Sequence, residues 1–201
     1  MTPQQRFARL VTNLVVRFPA LWRIFRAPLT RTFDRLAPVW DATRVSPDRL
    51  APIVAALDAV PRAPSNVLDV GTGSGAAARL AAERWPSADV IGVDASNGMI
   101  EQARRLGAER YEVADASALP FPDGSFDLVT LNNMIPFFDE LARVTAPGGH
   151  VAVAFSRGPQ TPIWVPLDQV RRELEARGFV HLADFTAGPG VSLLAERPAR
   201  P

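Results

Sequence analysis

The stretch Asn66-Val67-Leu68-Asp69-Val70-Gly71-Thr72-Gly73-Ser74-Gly75 runs from apolar residues through an acid into alternating glycines, and Ala76-Ala77-Ala78 follows at once. Such a pattern specifies a buried strand, a tight turn and the opening of a helix. Glycine adopts left-handed angles and carries no Cβ, so the turn offers bare amides to a ligand of the nucleotide type.

From this point the chain alternates between strand and helix patterns, the signature of a parallel sheet covered on both faces. Strands are predicted at 66–71, 89–94, 110–114, 126–132 and 149–155. Helices are predicted at about 75–85, 97–106 and 137–145, and the turn Pro147-Gly148-Gly149 feeds the fifth strand. A helix at about 167–177 ends at Gly178. Two last strands, near 179–186 and 190–197, are joined by Gly188-Pro189-Gly190. That turn is too short for a parallel crossover, so the final pair is antiparallel. The fold class is α/β: a Rossmann-like, seven-stranded, mostly parallel sheet with an antiparallel last strand in three αβα layers, preceded by N-terminal helices.

A length of 201 residues suits one domain with its own core. Cysteine is absent, which excludes disulfides, thiolate zinc sites, iron–sulfur clusters and cysteine nucleophiles, and fits a reducing cytoplasm. No metal site is expected. All 22 basic residues are arginine, so lysine Schiff-base chemistry and a P-loop lysine are excluded too. No apolar run reaches the roughly 18 residues of a membrane-spanning helix, and no signal-peptide pattern is evident.

Charge is uneven. Residues 1–36 hold seven arginines (Arg6, Arg9, Arg17, Arg23, Arg26, Arg31, Arg35) against one acid, Asp34. A basic head on a mildly acidic remainder argues against nucleic acid, which needs positive charge across the domain face. Phe7, Leu10, Val11, Leu14, Val15, Phe18, Leu21, Trp22 and Phe25 recur at helical spacing. Pro19 splits this amphipathic segment into two helices, and another helix runs from Pro47 to Val60 with Ser46 as its cap. Residues 6–26 have three open readings: docking on the protein's own surface, peripheral contact with anionic lipid, and dimerisation. Together with Trp40 and Trp164, this apolar face is a candidate aromatic lid.

Ligands of open α/β sheets bind beyond the carboxyl ends of the strands. Asp69, Asp94 and Asp115 stand at that edge, and an acid such as Asp94, ending the second strand about 20 residues past the glycines, can accept from both hydroxyls of a ribose. Gly71, Gly73 and Ala76 also satisfy a dinucleotide fingerprint, which leaves an NAD(P)-binding oxidoreductase open as an alternative. Against it, a carboxylate at Asp69 sits poorly beside a pyrophosphate and suits a cationic ligand.

The residues resemble the class I S-adenosylmethionine-dependent methyltransferases, particularly the small type 11 group. The resemblance lies in Val67 to Gly75, in Gly92-Val93-Asp94-Ala95-Ser96 with Met99, and in Asp115-Ala116-Ser117-Ala118-Leu119-Pro120-Phe121. It continues through Phe126-Asp127-Leu128-Val129, Ala142-Arg143-Val144 and Pro147-Gly148-Gly149. It implies S-adenosylmethionine as cofactor, bound by Asp69, Gly71, Thr72, Gly73, Gly75, Asp94, Ala95, Ser96, Met99, Asp115, Ala116 and Asn132. The methionine end would lie on the glycine turn and Asp69, the ribose on Asp94, and the adenine between Ala95 and Met99 with Asp115 and Ala116 at its amino edge. Asn132 would border the sulfonium. On this reading residues 1–60 are amphipathic and capping helices, and residues 61–201 are the cofactor-binding methyltransferase domain.

The implied reaction is methyl transfer to a small molecule, with Asn132, Asp139 and Arg157 as candidate catalytic residues. The segment Asn132 to Asp139 lacks the family's common His-His-Phe element and is not the Asn-Pro-Pro-Tyr of amine methylases acting on nucleic acid, so it does not identify the acceptor. A non-catalytic module of the same fold is the other alternative. His150, His181 and Tyr111 begin strands and belong at the amino edge, away from the pocket, while Asp127 reads as a turn or packing acid.

Overall fold

The computed structural model describes residues 2–199. Its strands are β1 (Asn66–Val70), β2 (Asp89–Asp94), β3 (Arg110–Val113), β4 (Phe126–Asn132), β5 (Thr145–Phe155), β6 (Val180–Ala187) and β7 (Gly190–Glu196). They form one sheet in the order β3-β2-β1-β4-β5-β7-β6. β7 runs antiparallel to both neighbours, and the pairs from β3 across to β5 are parallel. The expected seven-stranded α/β sheet is therefore present. Chain order reverses between β1 and β4, which opens a crevice at their carboxyl ends.

The helices are α1 (Pro3–Arg17), α2 (Trp22–Leu36), α3 (Trp40–Arg44), α4 (Pro47–Asp58), α5 (Ala76–Arg84), α6 (Asn97–Leu106), α7 (Phe138–Val144) and α8 (Leu167–Glu175). Strand alternation sends side chains to opposite faces. Leu68, Val70, Val129, Leu131 and Val153 join Leu141, Val170 and Leu174 of α7 and α8 in one core cluster. Val67, Leu128, Ala152 and Ala154 join Ile53, Ala78 and Ile100 of α4, α5 and α6 in the other. Near-continuous apolar strands follow from burial on both sides. α4, grouped by sequence with the capping helices, packs against β5, β6 and β7 as part of this sandwich.

Pro19 breaks the N-terminal segment as expected: α1 stops at Arg17, and Pro19 opens a 3-10 turn before α2. The predicted single apolar face divides. Val11, Val15, Trp22 and Leu29 are buried in the first core cluster, so this face docks on the protein's own surface. Phe7, Leu10, Phe18 and Ile24 stay exposed, by 45%, 56%, 51% and 65%. Short α3 was not anticipated.

Two local expectations are corrected. Ser46 holds the cap position of α4, but its side chain makes no capping bond; its carbonyl accepts from the amides of Arg49 and Leu50 instead. β5 begins at Thr145, upstream of the Pro147-Gly148-Gly149 turn. Thr145 already pairs with Phe126, and the register then shifts so that His150 faces Leu128. The turn is thus an irregularity within the strand and not its start.

Candidate active site

The glycine turn is shaped by its neighbours. The amide of Thr72 donates to Val93 O at 2.9 Å, tying the turn to β2, and the amide of Gly73 donates to Asp94 Oδ2 at 3.0 Å. Gly73 has φ +56°, and a Cβ there would point at Trp40 Nε1, 3.7 Å away. Gly75 (φ +84°) serves packing instead: a Cβ would stand 2.5 Å from the Tyr111 hydroxyl. It is not among the residues that line the cavity.

That cavity measures about 540 Å³. It lies within the roughly 300–1,000 Å³ usual for small-molecule sites. Of the residues assigned from sequence, Asp69, Gly71, Thr72, Gly73, Asp94, Ala95, Met99, Ala116, Asn132 and Arg157 line it. They converge because each sits at, or just past, the carboxyl end of a strand or on the turn or helix that follows.

Asp69 is buried and accepts from Thr72 Oγ1 at 2.6 Å and Thr130 Oγ1 at 2.8 Å. Burial pushes its pKa up to about 6, against the opposing pull of these hydroxyls. Asp94 accepts from the amides of Gly73 and Ser96, the latter at 2.9 Å. Burial raises its pKa as well, and the two amides hold the shift back.

Three other assigned residues have partners elsewhere. Ser96 caps α6, accepting from the Met99 amide, and donates to Asp34 Oδ1 at 2.6 Å. Asp115 accepts from Trp22 Nε1 at 2.8 Å and from Arg26 Nη1 at 2.5 Å, so α2 has taken the carboxylate assigned to the adenine edge. Burial alone would raise the pKa of Asp115, but donors from Ser117, Trp22 and Arg26 hold it below the usual carboxylate range. Asp139, in the first turn of α7, is 84% exposed and pairs with Arg177 at 2.7 Å, outside the cavity. It is not a base at this site. Asp127 is the second residue of β4 and not a turn residue; it accepts from the amides of Ser65 and Asn66 at the start of β1. Among the described residues neither His150 nor His181 lines the cavity.

The roof carries no motif and was legible only in part. Trp22, Leu29, Phe33, Leu36 and Trp40 of the N-terminal helices line the cavity, with Trp40 against the glycine turn, whereas Trp164 packs on Phe155 with ring centroids 5.0 Å apart. Asp34 fastens this roof, accepting from Ser96 Oγ and from the Gly98 amide at 3.0 Å. Being the one acid in a basic head was its only sequence signal.

The donor set fits S-adenosylmethionine. Ser74 Oγ and Asn132 Oδ1 belong to residues of the wall and are buried without a protein partner, so they are free for polar groups of a ligand. A carboxylate at β1 and another at β2 flank the bare amide turn, matching an ammonium and a ribose.

Comparison with known proteins agrees. The methyltransferase domain family matches residues 67–149. The chain is 44% identical over 107 residues to the demethylmenaquinone methyltransferase of Thermus thermophilus, covering 47% of this chain and 49% of that one. It is 37% identical over 150 residues to the malonyl-[acyl-carrier protein] O-methyltransferase of Halorhodospira halophila, covering 69% and 50%. The chain thus spans about half the length of the curated relatives it matches. A SAM-dependent methyltransferase from Aquifex aeolicus superposes with a TM-score of 0.62 at 21% identity, covering 75% of this chain and 93% of that one, which shows a shared fold. Residues 67–149, with the glycine turn and its two carboxylates, belong to the class I S-adenosylmethionine-dependent methyltransferases of the type 11-like kind, whose cofactor is S-adenosylmethionine.

Proposed function

We propose that the chain transfers a methyl group from S-adenosylmethionine to a small, largely apolar acceptor. The observation that carries this reading is the composite cavity, in which the amides and carboxylates of the matched domain lie under an aromatic roof. Bound S-adenosylmethionine supplies a methyl group on a cationic sulfur that leaves neutral. Asp94 would hold the ribose, Asp69 would face the ammonium, Ala95, Met99 and Ala116 would flank the adenine, and Asn132 would border the sulfur. Trp22, Phe33 and Trp40 exclude water, and alignment of the two reactants supplies most of the rate. Among the described residues the wall holds no histidine, and Asp69 and Asp94 are its only acids. The site therefore suits an acceptor whose attacking atom is already anionic or unprotonated.

The relative named for demethylmenaquinone supports a small acceptor, and the apolar roof favours a lipophilic one. S-adenosylhomocysteine should raise the melting temperature while NADH leaves it unchanged, and label from methyl-labelled S-adenosylmethionine should appear in an acceptor drawn from quinone precursors and carboxylic acids. Stabilisation by NADH alone would favour the oxidoreductase, and by neither ligand the non-catalytic module.

The exposed Phe7, Leu10, Phe18 and Ile24 beside arginines favour a second reading, peripheral contact with anionic lipid. No described helix is long and apolar enough to cross a membrane. Leu10→Asp with Ile24→Asp should abolish sedimentation with phosphatidylglycerol vesicles while leaving neutral vesicles unbound; equal partitioning of variant and parent would remove the idea.

A further inference from the structure

One side of the cavity is basic. Arg44 of α3, Arg49 of α4 and Arg157, just after β5, all line it. Among the described residues, none of the three pairs with a carboxylate. Asp41, the acid of α3, is turned to Arg79 of α5 at 3.5 Å, and Arg157 has only the neutral Gln160 Oε1, at 3.1 Å. The Arg44 guanidinium is 6.0 Å from the centre of the Trp40 ring. Burial first, and then the charges of Arg157 and Arg44, lower the pKa of Arg49.

An arginine-rich chain carries unpaired arginines by number alone, but on open surfaces they are solvated and spread apart. Here three separate elements bring like charges to one cavity with no carboxylate paired to any of them. That arrangement costs free energy which a bound anion would remove.

Sheet order says which ligand brings the anion. Along the carboxyl edge, Asp94 ends β2, the glycine turn follows β1, Asn132 ends β4 and Arg157 follows β5. Adjacent strands stand about 4.8 Å apart. Arg157 therefore lies one strand beyond Asn132, on the far side of the transfer point from the ribose acid. Arg49 joins it there because α4 packs over β5 and β7.

We infer that Arg49 and Arg157, with Arg44 beside them, seat a carboxylate carried by the methyl acceptor, whose apolar body lies against Met134 and Ile163, the apolar lining that follows β4 and β5. This rests on the methyltransferase reading. The acceptor is then an amphiphile, with its charged end on β5 and α4. The cofactor also has a carboxylate, at its methionine end, and the test separates the two sources.

Full-length protein saturated with S-adenosylhomocysteine is titrated calorimetrically with decanoate below its micellar concentration, and with decanol. Decanoate should bind at least about tenfold more tightly, as expected for a charge-assisted pair. The double variant Arg49→Gln/Arg157→Gln should reduce decanoate to the decanol affinity while S-adenosylhomocysteine affinity stays within about twofold. Equal binding of the two probes by the parent overturns the inference. So does a variant that loses S-adenosylhomocysteine but keeps methylthioadenosine, which lacks the amino acid end, because the arginines would then hold the cofactor. Failure of the parent to bind S-adenosylhomocysteine at all would remove the methyltransferase reading and this inference with it.

Discussion

Asp94→Ala should weaken S-adenosylhomocysteine binding by at least about 100-fold. A carboxylate accepting from two ribose hydroxyls makes two charge-assisted bonds of about 1.5–3 kcal/mol each, and every 1.4 kcal/mol is roughly tenfold in affinity. The carboxylate also receives the Gly73 and Ser96 amides, so its removal loosens the turn. That second effect is smaller, about 1–2 kcal/mol of folding stability, because water in the cavity can replace the lost acceptor. Calorimetry measures the first effect and urea unfolding the second. A folded variant with affinity within threefold of the parent would exclude a ribose contact at this residue.

Cofactor affinity should also depend on pH through Asp69, whose pKa burial pushes up to about 6 from an ordinary value near 3.8. The unfolded chain releases this proton near pH 4 and the folded chain near pH 6, so between the two the folded state binds more protons. Its stability therefore falls as pH rises through that window and is level above it, by about 3 kcal/mol in all. An ammonium beside the ionised carboxylate recovers part of this loss. Affinity for S-adenosylhomocysteine should thus rise by about tenfold per pH unit up to pH 6 and level off near pH 7. Asp69→Asn should flatten the profile and bind more weakly at pH 7.5, while Thr72 and Thr130 keep a hydrogen-bonding partner. A flat profile in the parent between pH 5 and 8 would show that Asp69 does not sense the ligand.

The sheet was legible because its signals are local. β2 and α6 match their predicted limits, and the short turn after Ala187 correctly implied an antiparallel last pair. β5 was misread at its start because Pro147-Gly148 breaks the pattern without breaking the ladder. Within the site, Asp69, Asp94 and Asn132 were legible because a strand end fixes where a side chain stands. Asp115 was not, because its carboxylate is claimed by Trp22 and Arg26, some 90 residues away in sequence. Gly75 is a related case: the motif reports the turn but not which of its glycines line the cavity and which stands against Tyr111. Phe33, Leu36, Arg44 and Arg49 carry no signature, since any apolar or basic helix would look the same.

The roof and the glycine turn come from separate stretches of chain: Trp22 to Arg49 above, and residues 67–149 below. Selection can therefore rewrite the leading helices to admit a new compound, provided that Trp22, Arg26 and Asp34 keep their bonds to Asp115, Ser96 and Gly98. Grafting residues 3–44 between relatives, with α4 left in its core, should accordingly alter which compounds the cavity admits.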